Sequence, residues 1–336
     1  MAAFGDPAKI WKAESVTNQV KLDEKIMALV RECRKNYDPD RELLKLAKLD
    51  LGYVTLYDKE YPALLKEVYD GPVVLYIRGN ASVLNTQSLA VVGSRKFTNY
   101  GKRIAYSLAK ECALAGLTIV SGLALGIDAE AHQAALDVDG ITIGVVGNGL
   151  DRIYPVSNYD LGRKIIQKGG AIISEFPPGT PPMKHNFPAR NRIIAGLSQG
   201  TLVIEAASQS GALITAIQAL EYNREVFAIP GNIDSPTSEG TNALIQKGAK
   251  LITKAEDVLV ELNVEVKNHQ AKAKAILPDT EEESQIVETL KRGEMLADEI
   301  IRVTGLNVIL VNSTLTMMEM KGIITNLGGG RYCLIK

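Results

Sequence analysis

The chain has 336 residues, 46% of them hydrophobic and 23% charged, with a formal net charge of −1. That length is too great for one small core and that composition too apolar for a disordered chain, so two or three globular domains are expected. No apolar run approaches the ~20 residues of a membrane span, and the amino terminus lacks a basic-then-apolar leader, so the expected location is cytoplasmic, without a membrane partner.

Charge is spread thinly. Residues 1–62 hold 11 basic and 11 acidic side chains, residues 63–276 hold 21 and 19, and residues 277–336 hold 6 and 9. A favourable field for an anionic partner must therefore come from local clusters in the middle segment. The three cysteines, Cys33, Cys112 and Cys333, are odd in number and far apart, and His132, His185 and His269 are scattered. No disulfide framework and no metal site is expected.

In chain order, apolar residues at helical spacing (Ile26, Leu29, Val30; then Leu43, Leu44, Ala47 after a Tyr37-Asp38-Pro39 break) predict a small helical domain over 1–67. From 68 to 262 short β-rich runs alternate with helical patterns. The runs lie at 73–77, 89–92, 117–120, 141–146, 171–173, 201–204 and 225–229, and the helices near 101–115, 127–137, 158–168, 189–197 and 211–222. Most runs are apolar throughout, as strands covered on both faces are, so the fold class is α/β, a Rossmann-like doubly wound parallel sheet. Residues 263–280 read as a polar linker, and 281–336 as three short helices closing on a Gly328-Gly329-Gly330 hairpin, the pattern of a winged helix.

In such a sheet, ligands bind outside the carboxyl ends of the strands. The loops there are rich in small residues: Gly93-Ser94-Arg95, Ser121-Gly122, Gly147-Asn148-Gly149 and Ser208-Gln209-Ser210-Gly211. Small residues let backbone N–H groups approach an anion, and a helix amino terminus behind them adds partial positive charge. Glycines there also serve tight turns alone, but Arg95 suits bidentate phosphate recognition, which a turn does not require. A second cluster, the proline-stiffened loop 177–192, carries Lys184, His185, Arg190 and Arg192 beside Phe187. Those cations suit a run of phosphates with bases nearby, although an arginine there also suits capping of carbonyls or pairing with acids. The expected phosphate contacts are thus Gly93, Ser94, Arg95, Ser121, Gly122, Lys184, Arg190, Arg192, Ser210 and Gly211.

No cofactor is expected, because GxGxxG does not follow the first strand and no GxxxxGK[ST] occurs; 144–149 resembles a dinucleotide fingerprint only superficially. No nucleophile, base and orienting group assemble into a catalytic set. Asp128, Asn191 and Glu205 are expected as structural supports that hold loops, and the protein is expected not to be an enzyme. The alternative is a nucleotide or nucleotide-sugar hydrolase on a related fold with Glu205 as base.

Residues 91–95 (VVGSR), 121–128 (SGLALGID), 150–155 (LDRIYP), 187–198 (FPARNRIIAGLS) and 210–216 (SGALITA) resemble, in order, the motifs of the DNA-processing protein A family, DprA or Smf. The resemblance implies a protein of natural transformation or recombination that coats incoming single-stranded DNA, dimerises and helps load the RecA recombinase. It implies an extended Rossmann domain flanked by a helical SAM-like domain and a winged helix. By position it assigns DNA contact to Arg95 and Lys184, and it places a homodimer surface around 243–260, with Leu244, Ile245, Leu251, Ile252, Val258 and Leu259 as candidates. Residues 3–8 resemble the middle of the SAM-like domain, so a truncated or reduced start is expected. Residues 307–320 carry no Lys or Arg, so this winged helix is expected to meet protein rather than read a duplex.

Overall fold

The computed structural model describes residues 24–264, 280–291, 293–321 and 323–334. It divides into two compact units, 1–266 and 267–336.

The first unit opens with helices α1 (Glu24–Asn36) and α2 (Pro39–Lys48), the second capped by the Asp38 carboxylate, which accepts from the Asp40 N–H. The sheet then takes β1 (Gly52–Thr55), β2 (Val74–Gly79), β3 (Ser88–Val92), β4 (Thr118–Ser121), β5 (Thr142–Val145), β6 (Ala171–Ser174), β7 (Gly200–Val203), β8 (Glu225–Ala228) and β9 (Lys250–Leu251). Between and after them run α3 (Ala63–Lys66), α4 (Asn99–Leu114), α5 (Ile127–Leu136), α6 (Tyr159–Gln167), α7 (Asn186–Leu197), α8 (Gly211–Glu221), α9 (Glu239–Gln246) and α10 (Ala255–Glu261).

Strand order is β1-β2-β6-β5-β4-β3-β7-β8-β9. From β6 to β9 every neighbour is parallel, and β2 runs antiparallel to β1 and β6. Because side chains alternate across a strand, Leu89 and Val91 enter a core with Ala105, Ala131 and Val258 on one face. Ala90 and Val92 enter a second core with Leu65, Ile193 and Ala216 on the other. Strands β3 to β7 are buried residue by residue, which explains their unbroken apolar runs. The order reverses at β3, whose successors in sequence lie on one side and β7 on the other. Loops after β3 and β7 therefore diverge around a crevice.

Two expectations need correction. The sheet begins at Gly52, inside the expected helical domain, because β1 pairs with β2. The segment is short and half exposed, so it carries no apolar run to announce it. Likewise Ile26, Leu29, Leu43 and Leu44 do not build a separate core but are exposed, while Leu46 and Leu51 pack with Val146 and Ile172 of the α/β unit. Residues 3–8, and the expected linker from 265 to 279, lie outside the described residues.

The second unit contains α11 (Glu281–Leu290), α12 (Ala297–Thr304) and α13 (Val308–Met320), with a sheet of β10 (Met295–Leu296), β11 (Ile324–Gly328) and β12 (Arg331–Leu334) in order β10-β12-β11. Ile286, Ile300, Val311, Leu315 and Ile324 form its core. Gly328, Gly329 and Gly330 all have positive φ (97°, 63° and 75°), the conformation that a turn of this hairpin needs and that other residues resist. This is the expected winged-helix layout. No single helix among the described residues is long and apolar enough to cross a membrane.

Candidate nucleic-acid interface

The crevice at the switch point opens into a groove of about 880 Å³, walled by the loops after β3 and β7, the start of α8 and the loop leading into α7. Each wall owes its place to a side chain that fastens one loop to another. Glu205, buried at the end of β7, accepts from the Thr98 N–H (2.9 Å) and hydroxyl (2.5 Å), and its carbonyl accepts from the Ser94 N–H (2.8 Å). The β3 loop is therefore tied to the β7 loop on both sides of Arg95. Both carboxylate oxygens are occupied in holding loops, which is a support and not the posture of a free base.

Gly126 brings in the third loop. Its φ is +90°, and a Cβ there would lie 2.3 Å from the Ser94 carbonyl oxygen and 2.7 Å from the Arg95 Cα. Only glycine lets the segment after β4 pass this close behind Arg95. The Ile127 N–H then donates to the same Ser94 carbonyl, which starts α5.

The small residues of the β4 loop do admit an anion, but it is the protein's own. Asp128, buried, accepts from the Gly122 N–H (3.1 Å) and the Ala124 N–H (3.4 Å). A Cβ on Gly122 would lie 2.6 Å from its Oδ2 and 2.5 Å from Nη1 of Arg190, so both charged groups close on one bare α-carbon. Ser121 is likewise used internally, its hydroxyl donating to the Val91 carbonyl at 2.6 Å. Burial raises the Asp128 carboxyl above its ordinary value, opposed by the Arg190 charge and the N–H donors. Burial lowers the Arg190 guanidinium to about 10, with Asp128 opposing and Arg95 adding to the fall.

This corrects four of the expected phosphate contacts. Arg190 is 4% exposed and donates to the carbonyls of Gly122 (2.6 Å) and Val145, because the first turns of α7 lie directly over the ends of β4 and β5. Arg192, two residues on and so nearly on the opposite face of the helix, points out of the groove and pairs with Glu175 at 2.5 Å and Asp70 at 3.8 Å. Ser121 and Gly122 are buried, with the Arg190 guanidinium against Gly122.

The remaining expected residues do meet at the groove: Gly93, Ser94, Arg95, Lys184, Asn191, Ser210 and Gly211 all line it, with the buried Asp128 and Arg190 reaching its floor. Ser94 holds its own turn, since its hydroxyl donates to the Lys96 carbonyl at 2.7 Å. Ser210 caps α8 by accepting from the Ala212 N–H at 3.3 Å, and no acid occupies the first turn of α8, so its partial positive charge faces the groove. The Asn191 amide donates to the Gly211 carbonyl at 3.3 Å and links α7 to α8.

Arg95 is exposed, and its guanidinium carbon stands 5.5 Å from the centroid of the Phe187 ring. Phe187 in turn lies 5.9 Å from Tyr154, the planes tilted by 33°. Cation, ring and ring thus follow one another along a smaller cavity of about 70 Å³ between the loops after β4 and β5. The loop that carries Lys184 is held from behind: the Gly179 N–H donates to Asp151 Oδ1 (2.6 Å), and the Asn186 amide to the Gly147 carbonyl (3.0 Å). Lys96, Tyr154 and Gln209 also line the groove, although none was among the expected phosphate contacts. Lys96 follows Arg95 directly and was visible as a doubled charge. Tyr154 lay in a quoted motif, but nothing in its spacing places it opposite Phe187.

Residues 52–263 match the model of the family described as DNA recombination-mediator protein A, and residues 270–330 match the DprA winged helix domain. Protein Smf of Escherichia coli is 50% identical over 60% of this chain, and the match spans 54% of that protein's length. The DNA processing protein DprA of Bacillus subtilis is 42% identical over 76% of this chain and 89% of its own length. Among solved structures, DNA processing protein A from Streptococcus pneumoniae shares 45% identity with a TM-score of 0.64, over 70% of this chain and 81% of that one. DNA processing protein A from Helicobacter pylori, described in terms of its single-stranded DNA binding mode, shares 35% identity with a TM-score of 0.57, over 63% and 95%.

Proposed function

The chain belongs to the DNA recombination-mediator protein A family, and from that premise we propose that its groove grips single-stranded DNA by the phosphates while bases stack at Phe187. The carrying observation is the pairing of exposed cations with a half-buried ring that lines the groove: Arg95 over Phe187, with Lys96 and Lys184 on the same groove. None of these three side chains has an ion-pair partner among the described residues, and Asp128, the acid that lines the groove, is buried beneath Arg190. Positive charge is therefore free where the strand would lie, although the whole chain is near neutral.

Sequence-tolerant coating follows from this chemistry, because phosphates and ring faces are common to every nucleotide. In the family's setting the bound strand is incoming DNA, shielded in the cytoplasm and passed to a RecA-type recombinase by a homodimer. Of the candidate dimer residues, Leu244, Ile252, Val258 and Leu259 are committed to the core and Ile245 is half-buried, whereas Leu251 is exposed, as is Val260 in the same segment, and these two remain available for a second copy. In the winged-helix unit, Ile309 is 79% exposed and α13 carries no cation, which favours a protein partner over a duplex there.

With three free cations, about two to three phosphates are neutralised per subunit, so a log–log plot of single-strand affinity against salt should have a slope of about −2 per subunit. Fluorescence anisotropy with single strands, duplex and free nucleotides across a salt series checks this. Single strands should bind most tightly. A flat salt dependence, or equal affinity for duplex, rejects the reading.

A further inference from the structure

Beyond the groove, a run of exposed apolar and aromatic side chains continues along the chain. Tyr154 belongs to both the groove and the smaller cavity, and Leu125 and Pro155 line the cavity beside it. Next along the chain come Val156, 79% exposed, and Tyr159, 50% exposed. They lie three residues apart across a 3₁₀ turn (Val156–Asn158) that runs into α6, a spacing that keeps both on one face.

The strip is rigid. Asn158, buried, donates from its amide to the carbonyls of Leu123 (2.9 Å) and Ala124 (3.1 Å), which pins the turn to the loop that carries Leu125. The Tyr159 hydroxyl makes no hydrogen bond among the described residues, so its ring is held out without a structural task. One turn further along α6, Arg163 is exposed and has no ion-pair partner among the described residues. Residues four apart on a helix lie on the same face, so Arg163 and Tyr159 emerge from one side of α6.

We propose that this strip is the track for bases of the same single strand where it leaves the groove, with Tyr159 as a stacking platform and Arg163 as a phosphate contact. The proposal rests on the reading of the groove as a single-strand site. Continuity selects the occupant: a strand stacked at Phe187 is handed to Tyr154, 5.9 Å away, and the next exposed apolar and aromatic side chains along the chain are Val156 and Tyr159. The chemistry selects it too, since a ring, an aliphatic surface and one cation match a base and its phosphate. A duplex keeps its base faces buried in its own stack and has nothing to offer this strip. The track therefore adds discrimination against duplex as well as length-dependent affinity.

The test uses the full chain and oligothymidylates of increasing length, with Tyr159→Ala, Tyr159→Phe and Arg95→Ala. In the unaltered protein, affinity should rise once the strand outgrows the groove. Tyr159→Ala should remove about tenfold of that gain while leaving strands that only fill the groove unaffected. Tyr159→Phe, which keeps the ring, should retain it. Abasic residues placed at one end of a long strand, tried at each end in turn, should erase the gain in the unaltered protein for one polarity and make Tyr159→Ala indistinguishable from it. Unchanged long-strand affinity in Tyr159→Ala overturns the proposal, and so does an equal loss for short and long strands. Loss of the groove reading itself is separate: it shows as Arg95→Ala binding every length normally.

Discussion

Arg95→Ala should lower single-strand affinity by about 10- to 100-fold, the range expected when a charge-assisted contact of roughly 1.5–3 kcal/mol is lost. The side chain is exposed and stands over Phe187, so it brings a charge and a flat donor fork to the point where a base would stack. Removing it should also reduce the magnitude of the salt slope by about 0.7, one phosphate's share on a single strand. Arg95→Lys should keep most of the slope but lose affinity, because an ammonium neither bridges two phosphate oxygens nor stacks on the ring. Folding stability should stay within about 0.5 kcal/mol, as for other exposed substitutions. Anisotropy titrations at several salt concentrations, paired with urea melts, measure both. An unchanged affinity and slope in Arg95→Ala removes the groove as the binding site.

The largest stability effect is expected at Asp128. Asp128→Ala strips the acceptor from the Gly122 and Ala124 N–H groups and leaves the Arg190 charge buried without its counter-charge. Breaking such a buried arrangement from one side costs about 3–5 kcal/mol. Adding Arg190→Met should recover part of the loss, since the uncompensated charge is then gone, although the two N–H groups stay unsatisfied. Urea denaturation of the two variants and the unaltered chain gives the comparison. Asp128→Ala within about 1 kcal/mol of the unaltered protein contradicts the account of this cluster. Neighbouring His132 shares the environment: its Nδ1 lies 2.6 Å from the Thr142 hydroxyl, which itself donates to the Ile119 carbonyl, so the ring nitrogen must be the donor. Burial, with the Arg190 charge adding, lowers that imidazole to about 3, and it stays neutral.

The parallel sheet was legible in the sequence because full burial of β3 to β7 leaves an unbroken apolar run in each, bounded by turn residues. Strands β1 and β9 were not, since Gly52-Tyr53-Val54-Thr55 and Lys250-Leu251 are short and largely exposed and carry no such run. The winged-helix unit was legible through its helical periods and its three glycines. At the site, small residues after strands pointed to the right edge of the sheet, and Arg95, Lys184 and Phe187 do reach the groove. What composition cannot tell is which charges are already spent. Arg190 and Arg192 are separated by one residue on a helix, so one turns inward to carbonyls and the other outward to Glu175 and Asp70. Small residues admit whichever anion is nearest, and after β4 that anion is Asp128.

The arrangement also explains how a near-neutral chain can hold a polyanion. Its acids are not removed but tied down, Glu205 by Thr98 and Asp128 by backbone N–H groups, and in being tied down they hold the loops that display Arg95. A grip of so few cations per subunit is local, and tight coating then depends on more than one subunit engaging the same strand.

Photo-cross-linking of a single strand carrying 5-bromouracil to the full chain, with the attached peptides mapped, tests the central claim most directly. The expected result is attachment at Phe187 and Tyr154, with the yield strongly reduced in Arg95→Ala. Attachment confined to residues 281–336, unaffected by Arg95→Ala, would contradict it.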